Sequence, residues 1–167
     1  TTFKIIECAT VLSVQEALFK GNVDIGITSL PLVFKGLDYQ VLQNEFLNVI
    51  MPKNHPLAKY QKIQIEQLRN DKWVELTKDL CPPILEEVEV YCRNNGFSRE
   101  ANIVQEVSNV ALLIGLVSAG IGIAIFSSEA LATSEGVCSK ELIFSDNTRL
   151  ELTKIIAYKE SMEQQYI

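Results

Sequence analysis

The sequence has little of what metal and catalytic sites require. It contains one histidine, His55, and four cysteines, at positions 8, 81, 92 and 138. No two cysteines have C-x-x-C spacing, and zinc sites need clustered cysteine and histidine ligands. The G-x-S-x-G turn of serine hydrolases is also missing, and "AGIGIA" enters a strand instead of opening a helix as a dinucleotide-binding loop would. We therefore expect no metal site, no cofactor and no enzymatic activity, with His55 serving as a turn or packing residue.

Excess positive charge and long apolar runs are absent as well. The formal net charge is −6 and basic residues are scattered among acidic ones, whereas nucleic-acid-binding domains usually carry a basic stripe. No apolar run approaches the roughly 18 residues of a membrane span. The four cysteines do not show the spacing of a disulfide framework, which favours reduced thiols. The sequence thus predicts a cytoplasmic domain that binds neither DNA by itself nor a membrane.

What is present is an alternation of strand and helix patterns. Strands are predicted over 3–8, 23–27, 37–42, 46–51, 72–76, 102–107, 121–126, 141–144 and 150–158. Helices are predicted from a capping box at Ser13 to a stop at Gly21, over 64–70, and over 82–94 with Gly96 as a left-handed cap. Two more are predicted, one after Asn109 that is apolar on nearly every face and should be buried, and one from Ser127 to about 133. Residues 3–27 would form a βαβ unit with parallel strands. This order favours an α/β fold with two halves and a cleft.

Hydroxyl side chains gather where the predicted strands end and helices begin. They are Thr10, Ser13, Thr28, Ser29, Thr77, Ser108, Ser127 and Ser128. Ligands of open α/β sheets bind at the carboxyl ends of strands, beside helix N-termini. Each hydroxyl alone is more typical of a helix cap than of a ligand contact. Together they predict a site for a small polar or anionic ligand.

Three segments resemble the effector-binding domain of LysR-type transcriptional regulators: "GNVDIGI", "VIMPKNHPLA" and "EVSNVALLIGLVSAGIGIAI". Further features, including "ExxT" at 7–10 and "NE" at 44–45, are similar to the subgroup that senses aromatic-degradation intermediates such as muconate. The resemblance implies two Rossmann-like lobes of the type II periplasmic-binding-protein kind. Lobe I would comprise 1–70 and 146–167, and lobe II 71–145.

The resemblance also implies partners. A small effector, expected to be a carboxylate, would bind in the cleft, and a separate N-terminal helix-turn-helix domain outside this chain would bind DNA. The full-length protein would be a homodimer or homotetramer. The alternative is a solute-binding protein of a transport system, which shares the two-lobed fold.

Several site residues follow from matching positions in the family. Thr10 would hydrogen-bond an effector carboxylate, Pro82 and Ile84 would line the cleft, and Asn109 and Val110 would form the opposite wall. The junction hydroxyls Ser13, Thr77 and Ser127 complete the predicted site. Some positions depart from the subgroup: isoleucine replaces an aromatic residue at 84, and Pro83 replaces a residue with a hydrogen-bond donor. Ser29 and Gln43 stand where arginines support a second ligand site in some members.

One departure concerns the fold itself. The family domain begins with another strand and helix before "FKIIE", and the strand lies centrally in the first sheet. Without it, backbone groups and apolar surface would be left uncovered. We therefore expect a first lobe that lacks its first strand and helix, and whose sheet is disrupted or completed by a strand from a partner.

Overall fold

The computed structural model describes residues 4–80, 83–127 and 135–160. In this part of the chain the strands are β1 (Ile25–Ser29), β2 (Leu37–Pro52), β3 (Lys62–Gln64), β4 (Trp73–Leu76), β5 (Ile103–Val107), β6 (Ala124–Ser127), β7 (Val137–Ile143) and β8 (Glu151–Lys159). The α-helices are α1 (Val11–Lys20), α2 (Ile84–Asn94) and α3 (Val110–Ser118), and short 3-10 helices cover Ile65–Leu68 and Glu100–Asn102. None of these helices is long and apolar enough to cross a membrane.

The first of two compact units comprises Thr1–Asn44 and Leu152–Ile167. Strand β1 pairs antiparallel with β8, which lies between β1 and β2. Helix α1 packs closely on β1 at Gly26, where an added Cβ would lie 2.7 Å from Val14 Cγ1 and 2.9 Å from Leu18 Cδ1. Only glycine permits this approach without a shift of the helix. A small core results, formed by Leu18, Leu37, Ile155 and Ala157.

The predicted first strand and its βαβ unit are wrong. Residues 4–8 lie outside any helix or strand, and the side chain of Ile5 is 93% exposed. A strand needs a neighbour for its N–H and C=O groups, and in the described part of the chain β1 has β8 as its single neighbour. Within residues 4–80, 83–127 and 135–160, the sheet edge at β1 is therefore open.

Helix α1 begins three residues earlier than the predicted capping box at Ser13. Thr10 is the N-cap, and its Oγ1 accepts a hydrogen bond from the Ser13 N–H at 2.9 Å. Ser13 Oγ in turn accepts from the Thr10 N–H at 2.9 Å, so Thr10 and Ser13 form the reciprocal pair. Glu16, the expected partner of Ser13, instead pairs with Lys20 on the exposed face. The predicted stop at Gly21 is confirmed, with a left-handed φ of 75°.

The second compact unit comprises Glu45–Glu151. Strands β4 and β5 pair in parallel, and a parallel bridge joins Trp73 of β4 to Ile123, next to β6. Strand β2 pairs antiparallel with both β6 and β7. Strand β3 pairs in parallel with β7 and lies at the end of the sheet. An added Cβ at Gly122 would lie 2.7 Å from the Lys72 carbonyl oxygen, so a glycine is needed where the chain passes β4.

Two apolar clusters fill the second unit. The larger contains Trp73, 1% exposed, with side chains from β2, β3, α2 and β7. The other is formed by Ile50, Val74, Leu76, Val107, Leu113, Val117, Ala124 and Val137. Helix α3 presents Leu113 and Val117 to this second cluster, while Leu112 is 48% exposed. The predicted burial of α3 on nearly every face is therefore wrong, because the described structure packs one face only.

Most predicted elements of the second unit are confirmed with small shifts. Asn109 is the N-cap of α3, and Gly96 has the left-handed φ of 78° expected after a helix. The two strands predicted over 37–42 and 46–51 form the single strand β2. The helix predicted over 64–70 is a 3-10 turn. The helix predicted after Ser127 lies outside the described residues.

The chain passes between the compact units within β2, after Asn44, and returns within β8, after Glu151. The predicted lobe boundaries, at 70/71 and 145/146, both lie inside the second unit. The division into lobe I and lobe II remains a prediction.

Candidate functional site

The carboxyl ends of three strands lie along one edge of the second unit. Strands β4 and β5 run parallel, and the parallel bridge at Trp73 and Ile123 sets β6 in the same direction. Residues that follow these strands therefore lie at the same edge of the sheet. Thr77 and Asn109, two of the predicted site residues, follow β4 and β5, and a third, Ser127, is the last residue of β6.

Thr77 is held at this edge by backbone hydrogen bonds. Its N–H donates to the Val107 carbonyl at 2.9 Å, which ties the end of β4 to the end of β5. Its own carbonyl accepts from the Leu80 N–H at 2.8 Å, so the chain turns directly after the strand. The side chain of Thr77 is half-buried. The structure thus places Thr77 next to the segment that begins α3.

Helix α3 begins at this edge with its N-terminus fixed by Asn109. The Asn109 Oδ1 accepts from the Leu112 N–H at 2.9 Å, and the Asn109 carbonyl accepts from the Leu113 N–H at 3.2 Å. The N–H groups of Val110 and Ala111 have no acceptor within the helix. With the positive end of the helix dipole they can bind a carboxylate oxygen. The Val110 side chain packs on the neighbouring apolar cluster and forms an apolar wall.

The other predicted residues of this unit lie at element ends. Ile84 is the first residue of α2, after Pro83 with a φ of −53°, and its side chain packs on the larger apolar cluster. Ser127 ends β6, pairs with Leu47 and is half-buried. Pro82 lies outside the described residues. The structure therefore brings Thr77, Asn109 and Val110 to one edge, and leaves the predicted contact at Pro82 undescribed.

Thr10 and Ser13 belong to the first unit. Both hydroxyls are used in capping α1, since Ser13 Oγ also donates to the Thr10 carbonyl at 2.8 Å. Thr10 Oγ1 accepts from the Ser13 N–H and keeps its own O–H to donate. The predicted hydrogen bond from Thr10 to a carboxylate is thus chemically available beside the cap.

An open groove of about 500 Å³ lies beside β5 and the end of β4. It is lined by Glu75, Lys78, Glu100, Ile103, Val104, Gln105 and Glu106. Three carboxylates against one ammonium group make it a poor site for an anion. It differs from the strand-end site that the sequence predicts.

Sequence reasoning did not find a buried polar network beneath α2. Glu89, 3% exposed, accepts hydrogen bonds from Ser98 Oγ at 2.7 Å, the Glu100 N–H at 3.0 Å and Arg93 Nε at 3.0 Å. Burial alone would raise the pKa of Glu89, but these bonds and the charge of Arg99 outweigh it and hold the pKa below its ordinary value. In the sequence, Glu86, Glu87 and Glu89 form an acidic run that is typical of a solvated helix face, and only the i, i+4 spacing of Glu89 and Arg93 indicates this role.

Arg99 extends the network into the core. It is 3% exposed, pairs with Glu75 Oε1 at 2.8 Å and lies 5.7 Å above the Trp73 ring. Such a buried pair fixes the loop before β5 in one arrangement. This ion pair therefore contributes to the fold of the second unit and not to the strand-end site.

The histidine and the described cysteines have surroundings typical of residues that support the fold. His55 lies in the turn after β2, where Nε2 is 3.0 Å from Asp71 Oδ1 and Nδ1 accepts from the Leu57 N–H. Burial, then the charge of Glu89, raises the pKa of the Cys92 thiol to about 11. Cys8, Cys92 and Cys138 are free thiols. No group of three His, Cys, Asp or Glu side chains within 4–80, 83–127 and 135–160 could hold a metal ion.

Parallel strands that end together beside a helix N-terminus are typical of α/β ligand-binding domains. The family model described as "LysR substrate binding domain" matches residues 6–143, and the chain belongs to this family. The HTH-type transcriptional regulator AlsR of Bacillus subtilis is 39% identical over 116 residues, covering 70% of this chain and 38% of AlsR. The Hca operon transcriptional activator HcaR of Escherichia coli is 27% identical, covering 71% of this chain and 40% of HcaR.

Solved effector-binding domains share the fold. The QuiR domain in complex with shikimate superposes with a TM-score of 0.75 at 18% identity, covering 90% of this chain and 69% of that one. The BenM domain with its effector benzoate superposes with a TM-score of 0.71 at 23% identity, and the match covers 90% of this chain and 67% of that one. The predicted type II periplasmic-binding-protein-like fold is confirmed. The relatives are regulators, which disfavours the predicted alternative of a transport solute-binding protein. The chain spans about 40% of the length of AlsR and HcaR.

Proposed function

We propose that this chain is the small-molecule effector-binding domain of a cytoplasmic LysR-type regulator and carries out no catalysis. The observation that supports this most is the strand-end site of the second unit, found in a chain that matches the family over 6–143. DNA would be bound by a helix-turn-helix domain outside this chain, because an acidic surface repels the phosphate backbone. The full-length regulator would be a homodimer or homotetramer.

The effector we propose is a small carboxylate. Helix α3 offers the N–H groups of Val110 and Ala111, and Thr77 adds a hydroxyl at the same edge. Shikimate and benzoate, the ligands named for QuiR and BenM, are both carboxylates at neutral pH. Isoleucine at 84 and proline at 83 give this chain a more apolar helix start, so we expect an effector with an apolar side facing α2.

A substitution at Asn109 can change ligand binding without lowering the stability of the fold. Aspartate is as good an N-cap as asparagine and suits the positive end of the helix dipole, so Asn109→Asp should keep or slightly raise the melting temperature. Its negative charge should abolish the thermal shift that a carboxylate gives to the wild type. Asn109→Ser, which keeps the cap without the charge, serves as the matched control and should retain the shift.

The measurement is a thermal-shift screen of aromatic acids, small carboxylates and amino acids against the chain and its variants. A carboxylate that stabilises Asn109→Asp as well as the wild type would contradict a site at the N-terminus of α3. If no carboxylate shifts the wild type while an uncharged compound does, the proposed ligand class is wrong.

Thr10 is tested in the same screen. Thr10→Val removes the hydroxyl and should abolish the ligand-induced shift, whereas Thr10→Ser keeps the hydroxyl and should preserve it. Both shifts are measured against each variant's own unliganded melting temperature, because the valine variant also loses the cap of α1. Retained binding by Thr10→Val would show that Thr10 is a cap only.

A further inference from the structure

Gln15 is a polar side chain in the interior of the first unit. It lies in the second turn of α1 and is 1% exposed. Its Nε2 donates to the Pro31 carbonyl at 3.1 Å and to the Ser29 carbonyl at 3.3 Å, and its Oε1 accepts from the Val33 N–H at 2.9 Å. Both ends of the carboxamide are therefore bonded to the backbone of the 29–33 segment, which comprises the last residue of β1 and the start of the loop after it.

These hydrogen bonds add direction to a loop that apolar packing also holds. The side chains of Leu30, Leu32 and Phe34 pack on the small core of the first unit. Such packing has no preferred direction, whereas hydrogen bonds fix the orientation of the groups that they join. Two carbonyl oxygens at one end of the carboxamide and an N–H at the other permit a single orientation of the amide. Gln15 therefore orients the backbone of the 29–33 segment.

The 29–33 segment and the N-terminus of α1 lie at the same end of the first unit. Thr28, which precedes the segment, donates from Oγ1 to the Val11 carbonyl at 3.1 Å, so the carboxyl end of β1 is tied to the first turn of α1. Thr10 is the N-cap of that turn and the proposed contact of the effector carboxylate. Gln15 and Thr28 therefore connect the helix that follows Thr10 to the segment beside it.

We propose that Gln15 is a positioning residue of the effector-binding site, an inference that rests on the function proposed above. Its carboxamide holds the 29–33 segment beside the first turn of α1 and so fixes the surroundings in which the Thr10 hydroxyl meets the effector carboxylate. Gln15 acts through this segment and not by touching the effector, because its side chain is buried and both ends of its carboxamide are bonded to backbone groups.

The test uses Gln15→Glu, which keeps the shape of the side chain and replaces its donor by an acceptor. At neutral pH a carboxylate would face the carbonyl oxygens of Ser29 and Pro31, and the 29–33 segment should separate from α1. Burial and these oxygens raise the pKa of such a carboxyl above its ordinary value of about 4.3. On acidification the protonated carboxyl can again donate to one carbonyl and accept from the Val33 N–H, so the arrangement should return.

The measurement is an NMR titration of the chain with benzoate and with shikimate, followed at the amides of Thr10 and Val11, well below the melting temperature of each variant. We expect the dissociation constant in Gln15→Glu to be about ten-fold higher than in the wild type at neutral pH. At about pH 5.5, where both probes are still ionised, it should return to within about two-fold of the wild type at the same pH.

Two variants serve as controls. Gln40→Glu adds the same charge at an exposed position of β2 in the first unit and should leave the dissociation constant nearly unchanged at both pH values. Gln15→Met keeps the approximate shape of the side chain but has no group that titrates, so binding should be weakened equally at both pH values. A recovery on acidification that only Gln15→Glu shows therefore comes from the carboxyl group at this position.

Two results overturn the inference. If Gln15→Glu binds the probes as tightly as the wild type at neutral pH, the 29–33 segment does not need this anchor for effector binding. If the amides of Thr10 and Val11 respond to neither probe in the wild type, there is no effector contact at α1 for Gln15 to position. The proposed function is then decided separately in the same titration, because a carboxylate at α3 should still shift the amides of Val110 and Ala111.

Discussion

The two compact units contain the same kinds of element but differ in how completely they bury their apolar surface. The second unit has two apolar clusters, parallel strands flanked by helices, and a buried ion network around Glu89 and Arg99. The first unit has a four-residue core, an open strand edge and a segment with two exposed isoleucines. The comparison shows that an α/β unit can keep its local helix caps and turns with a small core and with a sheet edge that is open in the described residues.

The difference has an energetic consequence. Hydrophobic burial is the main term that offsets the conformational entropy of folding, so the unit with less buried apolar area should open more easily. The second unit should therefore determine the global stability of the chain, and the first should unfold locally before it. The predictions below test this difference, beginning with the largest effect.

Removing the Trp73 side chain should break the second unit. The indole is 1% exposed in the larger apolar cluster and lies under the Arg99 guanidinium. We expect Trp73→Ala to lower the free energy of unfolding by about 4 kcal/mol. Urea denaturation checks this, with Tyr60→Ala as an exposed aromatic control that should have little effect. A loss below about 1 kcal/mol would show that the cluster does not carry the stability of the chain.

Replacing Glu89 should destabilise the second unit in a pH-dependent way. Glu89→Gln weakens hydrogen bonds from Ser98, Glu100 and Arg93, and we expect a loss of about 2 kcal/mol at neutral pH. The folded pKa lies below the ordinary 4.5, so the stabilisation is present above that value and disappears as the pH falls through the folded pKa. The stability difference from the wild type should therefore shrink on acidification. A difference that stays constant from neutral pH into strong acid would contradict the assigned role.

Overpacking at Gly26 should affect the first unit alone. A Cβ at this position would lie 2.7 Å from Val14 Cγ1, and Gly26→Ala should cost about 1–2 kcal/mol as α1 moves away from β1. Hydrogen exchange should show faster exchange in α1 with unchanged exchange in β4 and β5. Equal acceleration in both units would mean that they unfold together.

The smallest effects should come from a matched pair of helix caps. Thr10→Ala and Asn109→Ala each remove a side-chain acceptor from a helix N-terminus, and each should lower the free energy of unfolding by about 1 kcal/mol. The Thr10 variant should lower the protection of amides against hydrogen exchange in α1 only. The Asn109 variant should lower it in α3 only. Hydrogen exchange resolved by residue measures both, and a reversed pattern would contradict the cap assignments.

Local signals in the sequence predicted much of the second unit. The N-cap at Asn109, the left-handed Gly96 and the strands around β4, β5 and β6 follow from patterns of neighbouring residues. Such features depend on a few bonds within one segment. For the same reason the sequence could place Thr77 and Asn109 at strand ends, and the parallel pairing of β4 and β5 then brings them together.

Features that depend on a distant partner could not be predicted in this way. Residues 4–8 have a strand pattern, but a pattern supplies no neighbour for the backbone groups, and the segment stays outside the sheet. The burial of Glu89 depends on Ser98 and Glu100 from the next loop, which no local pattern on α2 reveals. The exposure of Leu112 likewise depends on what packs against α3.

Native-state hydrogen exchange of three amides tests the difference between the two units most directly. The Leu30 amide bonds to Thr153 at 3.0 Å in the first unit, and the Val74 and Ile123 amides bond to Ile123 and Lys72 at 2.8 Å in the second. We expect the Leu30 amide to exchange at least about ten-fold faster than the other two. Equal protection of all three amides would contradict the account, because it would show that the first unit is as stable as the second.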